Sequence, residues 1–443
     1  MKNPSHGWVF LCRITMNFEL FYETIGVCTD TRNILKDCLF ICLKGANFNG
    51  NSFAEQALQA GAKYVIADED LFPGNPRVYV VNDALEYLQQ LAHYHRNKFE
   101  IPVIGITGSN GKTSTKELIA TVLKEQFNVL YTQGNLNNHI GVPLTLLNLN
   151  NTHDIAVIEM GANKFKDIEE LCNIASPTHG IITNIGRAHL EGFINFEGVL
   201  KTKRELYQAI EKNQGTIFYN ADDEILRDIL PARTNTFSYA SLNQGDIQGE
   251  LLALTPFVRM KWSDGTYRSE EIQTNMIGNY NFYNFLAAVA VGTFFKVSPT
   301  SISDAIASYA PSNNRSQVRE TEKNTLIMDA YNANPTSMRS ALESFSAIKQ
   351  ENKIAILGDM FELGAESLTE HQKIADLLNE LGVDAICIGN NFQKAIQENG
   401  NSLISFPTKE EARIYLANAS LSGKLILLKG SRGIGLESLT DLL

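Results

Sequence analysis

The sequence predicts an α/β protein of three domains whose sheets are mostly parallel. Three observations support this. At about 150 residues per domain, the 443 residues of the chain are too many for one compact unit. Apolar residues make up 44% and charged residues 20% of the chain, as in ordinary globular proteins. Strand-like and helix-like segments alternate over two long stretches, which is typical of parallel sheets covered by helices.

The first elements form a small α/β unit. Apolar strands are predicted at residues 39–43 and 63–67, with a Gly/Asn-rich loop at 45–51 and a helix at 53–60 between them. Leucines at helical spacing follow over residues 84–98. Because a new apolar strand begins soon after this helix, we expect a domain boundary near residue 98.

The central stretch alternates between strands and helices. Its predicted strands are residues 103–107, 155–158, 180–183 and 216–219. Between about residues 235 and 274 the pattern changes to polar strands separated by glycines, which predicts an antiparallel insert. A helix at 282–295 follows.

Alternation restarts after the polar run 312–316. Its predicted strands are residues 326–328, 354–357, 385–388 and 425–428. This order is typical of a doubly wound domain, and it sets the second boundary near residue 312. The predicted domains are therefore 1–98, 99–312 and 313–443.

Charge and composition narrow the class of protein. The formal net charge of −11 gives no basic footprint for nucleic acid. The six cysteines form no CxxC pair, so we expect reduced thiols and a cytoplasmic protein. The sequence has no run of about 18 apolar residues, so we expect no membrane insertion. Because Met16 begins a segment that reads as folded, we expect residues 1–15 to be an upstream extension.

The sharpest motif is Gly-Ser-Asn-Gly-Lys-Thr-Ser at residues 108–114, between a strand and a helix. Glycines and a helix start let backbone amides cradle phosphates, while Lys112 offers a cation and Thr113 a hydroxyl for Mg²⁺. The alternative is a Gly-rich turn with a surface lysine. We expect the nucleotide to contact Gly108, Ser109, Asn110, Gly111, Lys112, Thr113 and Ser114.

Two further side chains follow strands of the same predicted sheet. Glu159 ends one strand and His189 follows another, so both are expected beside the phosphate loop, where they would bind Mg²⁺ with Thr113. Glu159 is alternatively a solvated loop residue, and His189 a structural histidine.

Polar side chains elsewhere suggest contacts with the rest of a nucleotide. Asn279 and Asn284 flank the start of the helix at 282–295, where amides read a base edge or simply cap the helix. Asp329 closes a strand before Pro335, where an acid holds ribose hydroxyls or caps the next helix.

Eight segments in a fixed order resemble the Mur ligase family, over the chain from about Asp30 to its last helix. These segments are 107–113, 135–145, 158–162, 183–191, 281–288, 329–335, 357–364 and 428–433. The Gly-Asp-Met and Lys-Gly-Ser-Arg segments resemble the branch that adds D-alanyl-D-alanine to UDP-N-acetylmuramoyl-tripeptide. The sequence departs from the family at Asn49-Gly50-Asn51, Tyr280 and Arg187.

The resemblance implies a UDP-sugar domain, a central P-loop ATPase domain and a C-terminal Rossmann-like domain. It also implies an ATP-dependent amide-bond ligase of peptidoglycan precursor synthesis, with ATP and Mg²⁺ as cofactors and an acyl-phosphate intermediate. We expect it to act as a monomer. The substrate-binding residues that it implies are Thr31, Arg32, Asn138, Thr145, Asn332, Asn334, Lys429 and Arg432.

The catalytic residues that the resemblance implies are Lys112, His189, Lys203 and Arg315. Lys203 matches a lysine that is carbamylated in the family, and the alternative is a solvated helix lysine. Lys429 and Arg432 are alternatively surface basic residues. Two other functions stay open: a folylpolyglutamate-type ligase, and a regulatory protein that senses or hydrolyses ATP without ligating anything.

Overall fold

The computed structural model describes residues 17–187, 190–254, 257–398, 400, 402–419 and 421–443. Residues 1–15 and His189 lie outside this description, so the predictions about them stay predictions. The helices are α1 (Glu19–Tyr22), α2 (Ala54–Gln59), α3 (Ala84–Arg96), α4 (Lys112–Lys124), α5 (Gly141–Leu146), α6 (Asp167–Ala175), α7 (Leu190–Phe193), α8 (Phe196–Lys212), α9 (Glu224–Asp228), α10 (Tyr280–Phe294), α11 (Pro299–Ser308), α12 (Pro335–Ser346), α13 (Ser367–Leu381), α14 (Asn390–Glu398) and α15 (Lys409–Ala419). The strands are β1 (Val27–Cys28), β2 (Leu39–Ile41), β3 (Lys44–Gly45), β4 (Phe48–Asn49), β5 (Tyr64–Ala67), β6 (Val78–Val80), β7 (Val103–Thr107), β8 (Val129–Tyr131), β9 (Ile155–Glu159), β10 (His179–Ile182), β11 (Thr216–Asn220), β12 (Asn235–Ala240), β13 (Ile247–Ala253), β14 (Arg259–Ser263), β15 (Ile272–Gln273), β16 (Gln317–Glu320), β17 (Thr325–Asp329), β18 (Lys353–Gly358), β19 (Ala385–Ile388), β20 (Ile404–Phe406) and β21 (Leu425–Lys429).

Internal contacts divide the chain into two units. Among the described residues, the first unit spans 17–100 and 139–150, and the second spans 101–138 and 151–443. The segment 139–150 therefore packs with the N-terminal part of the chain, through α5 against α3. The domain boundaries at residues 98 and 312 stay predictions.

The first unit is built on a parallel sheet in the order β1-β2-β5-β6. Strand β2 is buried along its whole length, and α2 packs against β5. Asp83 begins α3, because its side chain accepts hydrogen bonds from the amides of Leu85 and Glu86 at 2.8 and 2.9 Å. A separate hairpin, β3-β4, carries the Gly/Asn-rich loop.

The second unit contains a nine-stranded sheet in the order β15-β14-β13-β12-β11-β10-β7-β9-β8. Its strands from β8 to β13 are parallel to one another, and only β14 runs in the opposite direction, antiparallel to both β13 and β15. The expected antiparallel insert over residues 235–274 is therefore wrong for β12 and β13. The short helix α9 lies between β11 and β12 and lets the chain return parallel.

A six-stranded sheet follows in the order β16-β17-β21-β18-β19-β20, and only β16 is antiparallel to its neighbour. Two hydrophobic clusters draw on alternate residues of its central strands. Helices therefore cover both faces, and the predicted α/β class with mostly parallel sheets is confirmed. No helix in the described part of the chain is long and apolar enough to cross a membrane.

Helix α10 packs beside the start of α4, where the phosphate loop ends. It is apolar on nearly every side, and residues from Phe282 to Gly292 are mostly buried. It packs against α4, the helix that begins at the phosphate loop. The polar residues Asn281 and Asn284 are therefore buried beside the start of α4.

Candidate active site

The phosphate loop joins β7 to α4 through two glycines in the left-handed region. Gly108 has φ +148° and Gly111 has φ +78°. A Cβ at Gly108 would lie 2.0 Å from the Thr183 hydroxyl, and one at Gly111 would lie 2.9 Å from Asn284 Oδ1. Only glycine fits at these positions. No side chain caps the start of α4, so its first amides and its helix dipole are open to an anion.

Neighbouring strand ends hold the loop in this shape. Ser109 N–H donates to the Asn184 carbonyl at 3.0 Å, and Asn110 N–H donates to Asn184 Oδ1 at 3.0 Å. The Ser109 hydroxyl donates to the Gly186 carbonyl at 3.0 Å, and the Thr183 hydroxyl donates to the Asn110 carbonyl. The loop is thus rigid before any ligand binds, which lowers the entropic cost of binding.

Lys112 lies folded over the loop. Its ammonium donates to the carbonyls of Gly108 at 2.7 Å and Ser109 at 3.2 Å. Burial lowers the pKa of Lys112 to about 8; Glu159 opposes this shift and Arg315 adds to it. The alternative of a solvated surface lysine does not describe this half-buried, tethered side chain.

Glu159 is fully buried, with 1% of its surface exposed. Its Oε1 accepts hydrogen bonds from the Thr113 hydroxyl at 3.2 Å and from Asn137 Nδ2 at 2.8 Å. Its Oε2 has no hydrogen-bond partner among the described residues. The alternative of a solvated loop carboxylate is therefore wrong. A hydroxyl beside a carboxylate with one unused buried oxygen fits Mg²⁺, which prefers oxygen ligands.

Lys203 is buried on α8, with 2% exposure, whereas its neighbours Lys201 and Arg204 are exposed. Its ammonium lies 5.9 Å from the centre of the Phe193 ring. Burial first, and then the charge of Lys112, hold the pKa of Lys203 well below its ordinary range, while Asp167 and Glu205 oppose the shift. The alternative of a solvated helix lysine is wrong.

Arg315 stacks on an aromatic ring. Its guanidinium carbon lies 3.6 Å from the centre of the Tyr331 ring, and that of Arg432 lies 5.4 Å from the same centre. The buried Nε of Arg315 has no hydrogen-bond partner among the described residues. Arg315 also lowers the pKa of Lys112, so the two cations are near enough to interact electrostatically.

Asp329 and Lys429 lie together at the ends of neighbouring strands. Lys429 Nζ donates to Asp329 Oδ2 at 2.6 Å, and the amide of Ser316 donates to Asp329 Oδ1 at 3.3 Å. Lys429 is 2% exposed, so it is not a surface residue. Asp329 does not cap α12, because Asn334 and Ser337 form the capping box there.

Asn334 also touches the phosphate loop, because its Nδ2 donates to Asn110 Oδ1 at 2.7 Å. The two asparagines predicted to contact the base of the nucleotide make different interactions. Asn284 accepts from the Thr115 hydroxyl at 3.0 Å and donates to Asn281 Oδ1 at 2.9 Å, whereas Asn279 is exposed and caps nothing. Asn332 is exposed.

Known proteins are similar to this chain over most of its length. Residues 24–96 match the model of the Mur ligase family catalytic domain, 106–292 the Mur ligase middle domain and 314–432 the Mur ligase glutamate ligase domain. A UDP-N-acetylmuramoyl-tripeptide–D-alanyl-D-alanine ligase of Bacillus subtilis is 33% identical over 94% of this chain and 92% of its own length. The chain belongs to the Mur ligase family.

Other relatives agree with that assignment. The ligase of the same name from Escherichia coli is 31% identical over 93% of this chain and 92% of its own. A crystal structure of MurF from Acinetobacter baumannii matches with a TM-score of 0.86 at 31% identity, covering 96% of this chain and 97% of that one. A MurF ligase from Thermotoga maritima in complex with ADP matches with a TM-score of 0.84 at 26% identity, over 96% and 97% of the two chains. The predictions of the family and of an ATP-dependent ligase are confirmed.

Of the residues of this Mur ligase that we predict to bind substrate, Thr31, Arg32 and Thr145 lie in the first unit. Arg32 is exposed and pairs with Asp30 on its own loop. Thr145 is buried, and its hydroxyl donates to the Gly141 carbonyl at 2.9 Å within α5. Thr31 begins a short helical turn, and Asn138 belongs to the second unit.

The departure at Asn49-Gly50-Asn51 has a structural counterpart. Asn51 is fully buried; its Nδ2 donates to Asp68 Oδ1 at 2.6 Å, and its Oδ1 accepts from the Asp68 amide at 3.0 Å. Lys44 Nζ lies 2.9 Å from the same carboxylate. An asparagine here therefore fixes the hairpin to the end of β5.

Sequence reasoning missed two residues of the site. Lys116 is 1% exposed, and its ammonium lies 3.8 Å from Glu159 Oε2. Its signal was available, because residues four apart share one face of a helix and Lys116 follows Lys112 by one turn. Tyr331 carried no such signal, since its role as a platform for two arginines depends on tertiary contacts.

Proposed function

We propose that this Mur ligase adds D-alanyl-D-alanine to UDP-N-acetylmuramoyl-tripeptide at the expense of ATP, in peptidoglycan precursor synthesis. The printed names of its relatives support this substrate pair. The observation that carries the proposal is the uncapped start of α4, where Lys112 interacts electrostatically with Arg315 and with the buried Glu159. Such a site binds a polyphosphate and stabilises the charge that develops during its transfer.

The reaction has two steps. A carboxylate oxygen of the tripeptide attacks the γ-phosphorus of ATP, and ADP leaves, which gives an acyl phosphate. The amine of the dipeptide then attacks the acyl carbon, expels phosphate and loses a proton. Because the carboxylate and the triphosphate repel each other, Lys112 and Arg315 are the groups that reduce this repulsion.

Mg²⁺ belongs to this proposal. Thr113 and Glu159 would hold it together with His189, and when bound it would supply positive charge to the phosphate oxygens. The unused Oε2 of Glu159 supports this assignment. Lys203, near Lys112 on the buried side of α8, is proposed to carry a carbamate that adds a negative charge there.

The remaining contacts are proposed from the family pattern. Asp329 would bind the ribose, and Asn279 and Asn284 the adenine side. Lys429 and Arg432 would bind the carboxylate of the dipeptide; in the structure Lys429 is paired with Asp329, so it would have to share that partner. The other substrate-binding residues that we propose are Thr31, Arg32, Asn138, Thr145, Asn332 and Asn334.

We propose the domain division 1–98, 99–312 and 313–443, a monomer, and a cytoplasmic site of action where ATP and nucleotide-linked precursors are found. No nucleic acid and no membrane insertion enter this function. The net charge of −11 supports the first of these two statements.

Phosphate release tests the function. We expect release from ATP only when UDP-N-acetylmuramoyl-tripeptide and D-alanyl-D-alanine are both present, with L-alanyl-L-alanine as the matched inactive dipeptide. Mass spectrometry of the nucleotide product checks that the dipeptide has been joined. Release that ignores both peptides would favour an ATP-hydrolysing regulator, and acceptance of a folate in place of the UDP sugar would favour the folylpolyglutamate type. Tripeptides carrying diaminopimelate or lysine at the third position define the acceptor.

A further inference from the structure

Lys116 is a second lysine of α4, and it lies beneath the phosphate loop rather than over it. Only 1% of its surface is exposed. Its ammonium lies 3.8 Å from Glu159 Oε2 and 3.7 Å from Glu117 Oε1. Both distances exceed that of a good charge-assisted hydrogen bond. The pairs are therefore ionic contacts, with no short bond to hold the ammonium to either carboxylate.

Burying an ammonium here is costly, so its surroundings indicate what it does. Glu117 has other partners, because it accepts from the Tyr309 hydroxyl at 2.6 Å and from Asn313 Nδ2 at 3.0 Å. Glu159 Oε2 has no hydrogen-bond partner in the described part of the chain, and Lys116 is the cation within ion-pair distance of it there. Lys116 therefore matters chiefly to Glu159, because a buried carboxylate without a counter-charge is strongly unfavourable.

Two cations act on the single charge of Glu159. The ammonium of Lys116 lies within ion-pair distance of the carboxylate, and Lys112 also interacts with it electrostatically. A divalent cation alone would be repelled from such a group, whereas a cation accompanied by the negative charges of a triphosphate would not be.

We propose that Lys116 is a positioning residue whose ammonium serves as the stand-in cation of Glu159 while no nucleotide is bound. Lys116 keeps the carboxylate compensated and oriented, with Oε2 held by no hydrogen bond that binding would have to break. It also lowers the affinity of the empty site for a free divalent cation, so that metal and nucleotide enter together. This inference rests on the proposed function, because it concerns the metal that accompanies ATP.

Mn²⁺ binding without nucleotide tests the inference. Free Mn²⁺ is counted by electron paramagnetic resonance during titration of the full chain, as wild type, Lys116→Met and Lys116→Gln. Lys124→Met, on an exposed part of the same helix, is the matched control. Removing one positive charge this close to a metal ligand should tighten Mn²⁺ binding at least about tenfold. The control should bind as the wild type does.

A double variant tests whether the effect passes through Glu159. Adding Glu159→Gln to Lys116→Met should abolish the gain in affinity. In EDTA, Lys116→Met should melt at a lower temperature than the wild type, and Mn²⁺ should raise the melting temperature of the variant more than that of the wild type. If Lys116→Met fails to fold, Lys116→Gln replaces it in these measurements.

Two results would overturn the inference. One is equal Mn²⁺ affinity of the wild type and a folded neutral variant. The other is a gain that persists in the double variant. Ligase turnover of the wild-type enzyme is measured separately, so a failure of the proposed function is distinguishable from a failure of this role of Lys116.

Discussion

Two polar clusters lie at the ends of parallel strands in the second unit, and they differ in how far their charges are satisfied. At the nucleotide end, Glu159 keeps an oxygen without a hydrogen bond, and the buried Lys203 interacts electrostatically with the half-buried Lys112. At the end of β18, Asp359 is equally buried, with 3% exposure, but both of its oxygens are used. Its Oδ1 and Oδ2 accept the amides of Phe392 and Asn391, each at 2.9 Å, at the start of α14.

The second cluster extends through a buried histidine. His371 Nε2 accepts from the Met360 amide at 3.0 Å, so Nδ1 carries the hydrogen and donates to the Ser367 carbonyl at 2.7 Å. The Ser431 hydroxyl accepts from the Phe361 amide at 2.9 Å. These bonds tie the loop after β18 to the loop after β21.

This difference distinguishes a cluster that binds a ligand from one that only stabilises the fold. The sequence motifs alone do not make that distinction. The Gly-Lys-Thr and Gly-Asp-Met segments are equally distinctive in the sequence. One holds a buried carboxylate oxygen and a buried guanidinium nitrogen without hydrogen bonds, which is costly unless a ligand completes them. The other is a closed hydrogen-bond network, which costs nothing further and fixes two loops. The following predictions test whether the first cluster serves catalysis and the second serves stability.

The largest effect is expected from Lys112→Ala. Turnover should fall at least about a thousandfold, because one preorganised charge on the transferred phosphoryl group is lost. The free energy of unfolding should change by less than about 1 kcal/mol, because removing a cation from a half-buried position offsets the loss of its two hydrogen bonds to the loop carbonyls. Steady-state phosphate release and urea denaturation measure the two quantities. The control is Lys124→Ala on the same helix, and near wild-type turnover of Lys112→Ala would contradict the proposal.

Lys203→Ala should be the next most severe change. We expect it to be nearly inactive and to recover part of its activity when a short carboxylic acid is added, because the acid restores a negative charge in the vacated space. Lys201→Ala, at an exposed position two residues earlier, should remain active without the acid. Turnover at increasing acid concentration is the measurement. Full activity of the alanine variant would exclude a role for the side chain.

The sequence predicted those parts of the site that depend on local spacing. The phosphate loop follows from a strand, two glycines and a helix start within ten residues, whereas Lys203 was predicted only through the resemblance of its segment to the Mur ligase family. The contact between Asp329 and Lys429 depends on β17 lying beside β21, and these residues are 100 positions apart. Periodicity gives no strand order, so this pair could not be anticipated.

The fold shows the same limit. Alternation predicted parallel sheets, yet the parallel return to β12 was missed because α9 has only five residues. The packing of residues 139–150 with the first unit was also missed, since the apolar side of α5 does not indicate which helix covers it. Burial of Lys116 and Lys203 likewise depends on tertiary contacts, which is why their depth came only from the structure.

A smaller effect, on stability, is expected from Asp359→Asn. In this variant the side-chain amide oxygen accepts only one of the two backbone hydrogen bonds, and the side-chain NH₂ group faces the N–H group of the other. The free energy of unfolding should fall by about 2 kcal/mol, because a buried amide loses its charged partner. Urea denaturation measures the loss, and Asp384→Asn, at an exposed position, is the control. The affinity for a non-hydrolysable ATP analogue should be unchanged, the opposite of the pattern for Lys112→Ala. No loss of stability would mean that the second cluster is not structural.

The smallest expected effect is a loss of stability at acidic pH. It tests whether the hydrogen-bonded cluster around Asp359 depends on a neutral His371. Burial lowers the pKa of His371 from its ordinary value near 6.5. Below that value the unfolded chain binds a proton that the folded chain does not, so stability is fully present above it and is lost as the pH falls.

At pH 5.5 the loss from His371 is at most about 1.4 kcal/mol, because one pH unit below the unfolded pKa corresponds to that free energy. Urea midpoints at pH 7.5 and 5.5 should therefore differ less in His371→Gln than in the wild type. The glutamine oxygen can still accept the Met360 amide, which favours folding of the variant. Part of the pH dependence should remain, because burial also lowers the pKa of His95 and lowers that of His179 to about 4. His139→Gln, at an exposed position, should keep the wild-type dependence; an equal dependence in His371→Gln would show that the histidine is protonated in the folded cluster, and the two clusters would then both hold charge.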